Sequence, residues 1–477
     1  MRSSVVSSLR RIHSLLTPVS REGGLRWRPT LLLYMMSHGF MLASWNALYW
    51  DDWITYAGGR QGTIDVFAEC SRCVVPFRGE IEGLLIVPGP WLMRLLVFVF
   101  FPIIALLTQQ FLRRTQWLHR DEETIIALGV LFLPMFGARI ALIDFQYAFS
   151  LLLFTLGAWM ALSPRRVTRL VALLPIFWSM FTPSFQVFVV VLLAVLVAQL
   201  VTKDKSLSGN RMILLGGLLS FPFIHRFLIP SLFPKYAFTD GYNTIRGAFL
   251  ARALLIGALL LLPLVIVTRR WLAQRRADRA TILLVVGLGL LAAGTFPYLA
   301  VGHFPNFSDW VLPFLPDQSD WNSRHQLLQP FGFAFIVASI VGPQGNPRLI
   351  RTVFFLSACL SVNLATYSQY YLDSLKQAEI LRALSSNEAA FENTTAVAVR
   401  DYAVDFNARG RVVRPYEWAA MIQRSTGANI VSDADTREFC KEESPRLLVS
   451  VSPIGGRMES LLRRKALVNV EILEIDC

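Results

Sequence analysis

Apolar residues fall into long runs along this chain, separated by short polar or basic stretches. Runs of about 20 apolar residues are long enough to cross a bilayer as helices. The pattern predicts an all-α polytopic membrane protein with about eleven spans. Their predicted boundaries are 29–49, 84–112, 123–143, 146–163, 168–182, 185–202, 212–231, 248–268, 280–300, 325–343 and 350–369.

The periodicity changes after the last apolar run. The stretch "LDSLKQAEILRALSSNEAAF" has a helical period, whereas "PRLLVSVSP" and "ALVNVEILEI" are typical of strands. We therefore predict a membrane domain over 29–371, followed by a small soluble α/β domain over 372–477. Residues 1–28 form a basic arm with no apolar segment before Leu31, so we expect a retained cytoplasmic arm and not a cleaved signal peptide.

The distribution of positive charge predicts the topology. The chain has a net charge of +13, is 54% hydrophobic and has a mean hydropathy of +0.47. Its basic clusters follow every second predicted span, as the positive-inside rule requires. We expect an inner (plasma) membrane protein with a cytoplasmic N-terminus and a periplasmic C-terminal domain. The same distribution explains the positive net charge, so no nucleic-acid partner is needed to account for it. The clusters are Arg113, Arg114 and Arg120; Arg165, Arg166 and Arg169; Lys203, Lys205 and Arg211; Arg269 to Arg279; and Arg348 with Arg351.

Four of the five cysteines fall on the predicted outer side: Cys70 and Cys73 in the first outer loop, and Cys440 and Cys477 in the C-terminal domain. Because the periplasm is oxidising, this placement favours two structural disulfides. A zinc site is the rival interpretation, although nearby histidine is lacking. A thioredoxin-like redox motif is disfavoured because "ECSRC" does not lie in a βαβ pattern.

The stretch "NALYWDDWITYAGG" places two adjacent acids, Asp51 and Asp52, between Trp50 and Trp53, directly after the first predicted span. Tryptophans at this position are common interfacial anchors, which is the structural explanation. Trp50 and Trp53 are also candidate substrate-binding residues. Two acids beside an apolar surface are harder to explain structurally, because desolvation and repulsion both raise a carboxyl pKa. The pair suits a general base for a hydroxyl group, or ligands for a divalent cation such as Mg²⁺ or Mn²⁺.

This arrangement resembles the GT-C superfamily of integral-membrane glycosyltransferases, and within it bacterial enzymes such as O-antigen glucosyltransferases that use polyprenyl-phosphate sugars. The likeness rests on the short motif "WDDW" together with about eleven spans and a soluble outer C-terminal domain. It implies a GT-C-like fold, with a first-loop acid, Asp51 or Asp52, as the catalytic base. It also implies inversion of the anomeric carbon by direct displacement.

A second outer loop repeats the pairing of acids with tryptophan. In "HFPNFSDWVLPFLPDQSDWNSRHQLL", Asp309 precedes Trp310, Asp320 precedes Trp321, and Arg324 and His325 follow. Arginine binds phosphate bidentately, and indole rings present an apolar face to a sugar. The loop therefore suits a lipid-linked sugar phosphate, although an interfacial segment with tryptophan anchors shows the same pattern.

Three further charged residues lie in or beside apolar runs, where charge is costly unless it is paired or faces a polar cavity: Arg94, Arg139 and Asp144. Arg94 is a candidate phosphate ligand. Asp144 is either a second acid of the site or the partner of Arg139 in a structural pair.

These residues favour a membrane glycosyltransferase that transfers a sugar from a polyprenyl-phosphate carrier to a hydroxyl group of a surface glycan, such as O-antigen, or of a lipid. One enzyme alternative is a polymerase or ligase acting on lipid-linked glycans, which would depend on arginine and histidine. A flippase or transporter is another alternative, but the sequence lacks the repeat symmetry expected of it. The absence of a phosphate-binding loop argues against ATP-driven transport.

Overall fold

The structure is a computed structural model, and it describes most of the chain. The four cysteines of the predicted disulfides, Asp309 and Asp320 lie outside the described residues, so the disulfides and part of the predicted second outer loop are untested. The described ranges are 18–20, 24–69, 75–202, 209–232, 279–301, 321–341, 346–392, 394–428, 430–433 and 447–474, with a few single residues between 247 and 255.

Helices make up most of the described residues. Several are interrupted by short 3₁₀ or π turns, of which the turns at Gly137–Ile140, Leu142–Asp144 and Trp321–Gln326 are important for the site. The α-helices are α1 Trp27–Ala43, α2 Asp52–Tyr56, α3 Gly59–Glu69, α4 Arg78–Ile86, α5 Pro90–Thr115, α6 Arg120–Phe132, α7 Phe145–Ala161, α8 Arg166–Val171, α9 Leu173–Ser179, α10 Phe185–Thr202, α11 Gly209–Phe223, which a π turn extends to Leu232, α12 Arg279–Ala300, α13 Gln329–Val341, α14 Asn346–Ser386, α15 Pro415–Thr426 and α16 Arg457–Arg463.

Four helical segments among the described residues are long and apolar enough to cross a membrane: Pro90–Thr115, Leu142–Ala161, Arg279–Ala300 and Ile350–Ser386. The chain is therefore a membrane protein. Shorter apolar helices accompany them at Phe185–Ala198, Arg211–Phe223 and Gln329–Val341. The number of eleven spans is not confirmed and stays a prediction, and most of the predicted span 248–268 lies outside the described residues.

The predicted span 123–143 is helical over only part of its length. Helix α6 ends at Phe132, and Leu133, which precedes Pro134, adopts an extended conformation because proline disfavours the helical region for the residue before it. Phe136 then has a left-handed conformation, with φ of 56°. Two 3₁₀ turns follow, and they deliver Asp144 to the start of α7.

The C-terminal part contains a small mixed sheet in the order β2-β1-β3-β4, in which β1 is parallel to β2 and β3, and β3 is antiparallel to β4. This sheet, with α15 and α16, is called the outer unit below, after its predicted location. Helix α14 runs without a break through position 371, where the sequence analysis placed the domain boundary. The strands are β1 Ala396–Asp401, β2 Val431–Asp433, β3 Leu447–Pro453 and β4 Val468–Glu474.

Buried charges join the end of α14 to the outer unit. The ammonium group of Lys376 donates to both oxygens of Asp401, at 2.7 and 2.6 Å, and to Asn407 at 2.8 Å. Arg411 donates to Asp373 of α14 at 2.9 Å and to both oxygens of Glu417, at 2.9 and 2.8 Å. Because these groups are mostly buried and mutually paired, they hold the outer unit on the long helix.

Helices α12 and α13 pack at backbone distance. A Cβ atom built on Gly332 would lie 2.5 Å from the backbone nitrogen of Leu291 and 2.7 Å from its Cα. A Cβ atom on Gly287, in α12, would lie 2.9 Å from the carbonyl oxygen of Gly332. Small residues at such crossings are the usual way for membrane helices to approach closely.

We predict that Gly332→Ala destabilises the protein by about 1–3 kcal/mol, because the added methyl group forces the two backbones apart. The midpoint of thermal unfolding in detergent measures the change. Gly289→Ala, on α12, is the matched control, since a Cβ atom there has no neighbour within 4 Å. An equal effect of the two substitutions would contradict this account of the crossing.

Candidate functional site

The two adjacent acids of the first loop have different environments. Trp50, just before them, has φ of 51°, a left-handed conformation that is rare for a bulky residue. Its ring packs against Tyr370, with ring centroids 5.8 Å apart, and under the guanidinium of Arg411 at 5.5 Å. After this bend, Asp52 is fully buried whereas Asp51 is half-buried and contacts the outer unit.

Asp52 holds two separate loops together. One carboxylate oxygen accepts hydrogen bonds from the amides of Tyr49 at 3.1 Å and Leu142 at 2.9 Å, and the other accepts from the amide of Ile143 at 2.8 Å. Burial raises the pKa of Asp52 to about 7, because the loss of water outweighs the three amides and the charge of Arg94. With both oxygens occupied by backbone amides, Asp52 has a structural role in this arrangement.

Arg94, a predicted phosphate ligand, is also fully engaged by the backbone. Its guanidinium donates to the carbonyl oxygens of Ser44 at 2.6 Å, Ala47 at 2.9 Å and Ile140 at 3.1 Å. The side chain is buried and joins the end of α1 to the first 3₁₀ turn. These contacts support a bracing role for Arg94 and not a role in phosphate binding.

A second brace comes from α4. Arg78 donates to Glu82 at 2.8 Å and to the carbonyl oxygen of Ile143 at 2.7 Å. Tyr56 donates a short hydrogen bond to the other oxygen of Glu82. Burial raises the pKa of Glu82, against the lowering effect of Arg78 and Tyr56. The turn that precedes Asp144 is thus held through its amides by Asp52 and through a carbonyl by Arg78.

The carboxyl group of Asp144 is fully buried, and neither of its oxygens accepts a hydrogen bond within the described part of the chain. Leaving a buried polar group in this state costs about 2–7 kcal/mol. The charge of Arg324 acts on it most strongly, followed by Asp52, Arg78 and Asp51. Asp144 therefore lies in one charged cluster with the first-loop acids and Arg324.

Arg139 is not the partner of Asp144. Its guanidinium donates to the hydroxyl of Tyr367 at 2.6 Å and to Nε2 of His38 at 2.7 Å, and it lies over the ring of Phe101 at 4.4 Å. Because a guanidinium group can only donate, His38 accepts through Nε2 and carries its proton on Nδ1, which lies 2.6 Å from Ser37 Oγ. The structural pair of Arg139 and Asp144 is therefore absent.

Arg324 and His325 reach the cluster from the 3₁₀ turn Trp321–Gln326, which contacts the turn Gly137–Ile140. Both side chains are buried, and the ring of His325 packs 5.1 Å from the ring of Tyr298. Tyr298 lies close enough to Tyr147, Asp144 and Arg324 to interact with them electrostatically. The Trp321 backbone begins this turn, but its side chain lies outside the described part.

Asp51 faces the outer unit. The hydroxyl of Tyr416, on α15, donates to a carboxylate oxygen of Asp51 at 2.9 Å, and Arg414 donates to the same hydroxyl at 3.3 Å. Arg424 of α15 lies over the ring of Trp53 at 5.9 Å. Both Trp50 and Trp53 are buried in this packing, which supports a role in joining the loop to the outer unit.

The predicted site residues thus divide into two groups. Asp51, Asp144, Arg324 and His325 come together, whereas Asp52, Arg94, Trp50 and Trp53 surround them as supports. No group of three or more His, Cys, Asp or Glu side chains that could hold a metal ion occurs within the described ranges. The divalent cation stays a prediction.

Sequence reasoning missed three residues of this region: Arg78, Tyr298 and Tyr416. Tyr416 is 365 positions away from Asp51, so no local pattern connects the two. The spacing of Arg78 and Glu82, four positions apart, is the signal of a helical ion pair, but it does not predict the carbonyl of Ile143.

A comparison of this chain with protein-family models and with curated proteins finds no match.

We predict that protein stability falls as pH rises from about 4 to about 7, by on the order of 4 kcal/mol, through Asp52 alone. The folded protein keeps the Asp52 proton to a higher pH than the unfolded chain does, because the raised pKa is about 7 against an ordinary value of 3.8. The stabilisation is therefore complete below about pH 4 and is lost as pH rises through the folded pKa.

The measurement is the thermal midpoint in detergent at a series of pH values for wild type and Asp52→Asn, which cannot titrate. We expect the variant to lack most of this pH dependence and to be less stable, since its amide group must face a backbone amide. Asp65→Asn, at an exposed position, is the control and should keep the wild-type slope. An unchanged slope in Asp52→Asn would contradict the assignment.

Proposed function

We propose that this protein is a membrane glycosyltransferase that takes a sugar from a polyprenyl-phosphate carrier and transfers it to a hydroxyl group of a glycan or lipid at the outer face of the membrane. The observation that carries the proposal is the cluster of Asp51 and Asp144 with Arg324 at one end of the helices, beneath the outer unit. Such a cluster combines an acid for proton transfer with a cation for phosphate.

Asp51 is the proposed base. It is the more accessible of the two adjacent acids, and its hydrogen bond from the Tyr416 hydroxyl shows that an O–H group can reach it in donor geometry. In the reaction, Asp51 removes the proton of the acceptor hydroxyl as that oxygen bonds to the anomeric carbon. The bond from this carbon to the phosphate oxygen breaks, and the lipid phosphate leaves with the electron pair.

Arg324 and His325 are the proposed phosphate ligands. Both are buried, and Arg324 interacts electrostatically with Asp144. A low dielectric environment strengthens the attraction between a cation and a phosphate. Asp144 acts as a positioning residue, because its charge interaction with Arg324 is the strongest that it makes. Tyr298, which is buried, and Tyr147, which is partly buried, lie on this side of the cluster.

We expect Asp51→Asn to lower kcat for sugar transfer by about 100-fold to 10,000-fold, the usual contribution of a general base. Asp144→Asn should instead mainly raise KM for the donor, since Arg324 loses its acidic neighbour. The assay is transfer by purified protein in nanodiscs from a panel of radiolabelled polyprenyl-phosphate sugars. Asp65→Asn serves as the matched control for the loss of an acidic group.

Two outcomes would redirect the proposal. Full activity of folded Asp51→Asn would remove the acid from the chemistry. Absence of transfer by wild type from every donor would favour the polymerase or ligase interpretation, in which arginine and histidine act on lipid-linked glycans, or a flippase.

The contact between Tyr416 and Asp51 generates a separate prediction. The proposed base already accepts a hydrogen bond from the phenol, so we expect the phenol and an acceptor hydroxyl to compete for the carboxylate. We expect Tyr416→Phe to lower the acceptor KM several-fold while it leaves kcat within about twofold of wild type. Initial rates at varied acceptor concentration measure both constants. A large fall in kcat would show instead that Tyr416 takes part in the reaction.

A further inference from the structure

An apolar cavity of about 540 Å³ lies between α5, α7, α10, α12 and α13. Its volume is in the range of ordinary ligand sites. The lining is almost entirely hydrocarbon and includes Phe111, Trp117, Phe154, Ala194, Leu290 and Phe335. The hydroxyls of Thr115 and Thr155, which also line it, donate to carbonyls of their own helices. Because water would find few partners there, the cavity suits a hydrocarbon chain.

The cavity lies near the ends of the helices that carry the basic clusters. Thr115 and Trp117 come one and three residues after Arg114, which follows Arg113. On α7, Trp159 is next to the lining residue Ala158. Arg114 donates to the carbonyl oxygen of Trp159 and lies over its ring at 4.1 Å. By the positive-inside pattern, this is the cytoplasmic end of the bundle.

Three arginines beyond the end of α7 form a cationic cluster: Arg166, Arg169 and Arg211. Arg169 donates to the carbonyl oxygens of Ser163 at 2.9 Å and Pro164 at 3.1 Å. The guanidinium group of Arg169 is close enough to those of Arg166 and Arg211 for their like charges to repel. Within the described ranges none of the three forms an ion pair with an acid, and the buried Nε of Arg169 has no hydrogen-bond acceptor.

The cluster and the cavity are adjacent along α7. Ser163, which accepts from Arg169, is five residues after Ala158, which corresponds to a separation of roughly 7 Å along a helix. A phosphate group at the arginines is therefore within reach of a chain that enters the cavity. Basic pockets between helices at the cytoplasmic side are typical sites for anionic lipid head groups.

We propose that this region binds an anionic glycerophospholipid, such as phosphatidylglycerol, with its phosphate at Arg166, Arg169 and Arg211 and one acyl chain in the cavity. Charge complementarity decides the class of lipid. Three cations that form no ion pair among the residues that the structure describes favour a head group with net negative charge over a zwitterionic one. The site is separate from the acidic cluster of Asp51 and Asp144 and does not depend on the proposed reaction.

The test uses the full chain in nanodiscs that contain equal amounts of phosphatidylglycerol and phosphatidylcholine. After release into mild detergent, native mass spectrometry counts the lipids that stay bound. We expect preferential retention of phosphatidylglycerol. In the double variant Arg169→Gln/Arg211→Gln, the preference for phosphatidylglycerol over phosphatidylcholine should fall by about fivefold for each arginine removed. In Ala194→Phe, retention should fall because the ring fills the cavity.

Each variant has a matched control. Arg351→Gln removes a cation from the same predicted face, but Arg351 donates to the carbonyl oxygen of Ile340 on α13 and lies outside the cluster. Val190→Phe adds a ring to α10 at an exposed position that does not line the cavity. Both controls should keep the wild-type preference. Equal retention of the two lipids by wild type, or equal losses in variants and controls, would overturn the proposal.

A measurement on wild type decides the question if a variant does not fold. Lipids with brominated acyl chains quench tryptophan on contact, and Trp117 lines the cavity. The signal of Trp117 is the difference between wild type and Trp117→Phe. Brominated phosphatidylglycerol should quench it more than brominated phosphatidylcholine at the same mole fraction. Equal quenching, or one-for-one displacement of phosphatidylglycerol by a polyprenyl phosphate, would contradict the proposal.

Discussion

The buried carboxylate of Asp52 is the interaction on which the site depends. It accepts amide hydrogen bonds from two segments that are about 90 residues apart in the chain, at Tyr49 and at Leu142 with Ile143. A buried acid is expensive, and here the cost is offset by amides that would otherwise lack acceptors. The result is a fixed turn that is followed directly by Asp144, while the partner segment at Tyr49 leads into Asp51. The positions of Asp51 and Asp144, the candidate functional acids, therefore depend on Asp52, which has a structural role.

Irregular backbone among apolar helices creates the same need elsewhere. Residues 133–144 leave the α-helical conformation, and polar backbone groups inside a membrane protein are tolerated only where the protein satisfies them. Charged side chains do so here: Arg94 binds the carbonyl of Ile140, Arg78 that of Ile143, and Asp52 the amides between them. A charged residue in or beside an apolar run is usually taken as a functional candidate, but some of these residues instead form hydrogen bonds to the backbone.

The outer unit completes this arrangement from the other end of the chain. Because α14 continues from the membrane segment into the outer unit, the buried charges around Lys376 and Arg411 hold α15 in a defined position. That position brings Tyr416 to Asp51 and Arg424 to Trp53. The α/β part of the protein thus contributes directly to the environment of the first loop.

The sequence by itself determined the features that depend on local pattern. Apolar runs predicted membrane helices, and four are supported, because hydropathy is a property of a short window. The change of period predicted strands at 445–453 and 466–475, and the structure has strands at Leu447–Pro453 and Val468–Glu474. The sequence also drew attention to the acidic pair, Asp144, Arg324 and His325.

Only the tertiary structure decided what each of these residues contacts. Asp51 and Asp52 are identical in type and adjacent, so their different environments come from the left-handed bend at Trp50 and from amides far along the chain. As arginines, Arg94 and Arg324 are equally suited to phosphate, yet the guanidinium of Arg94 donates to three backbone carbonyl oxygens instead. The physical reason is that hydrogen bonds and charge interactions act over a few ångströms in space, whereas sequence patterns record only neighbours along the chain.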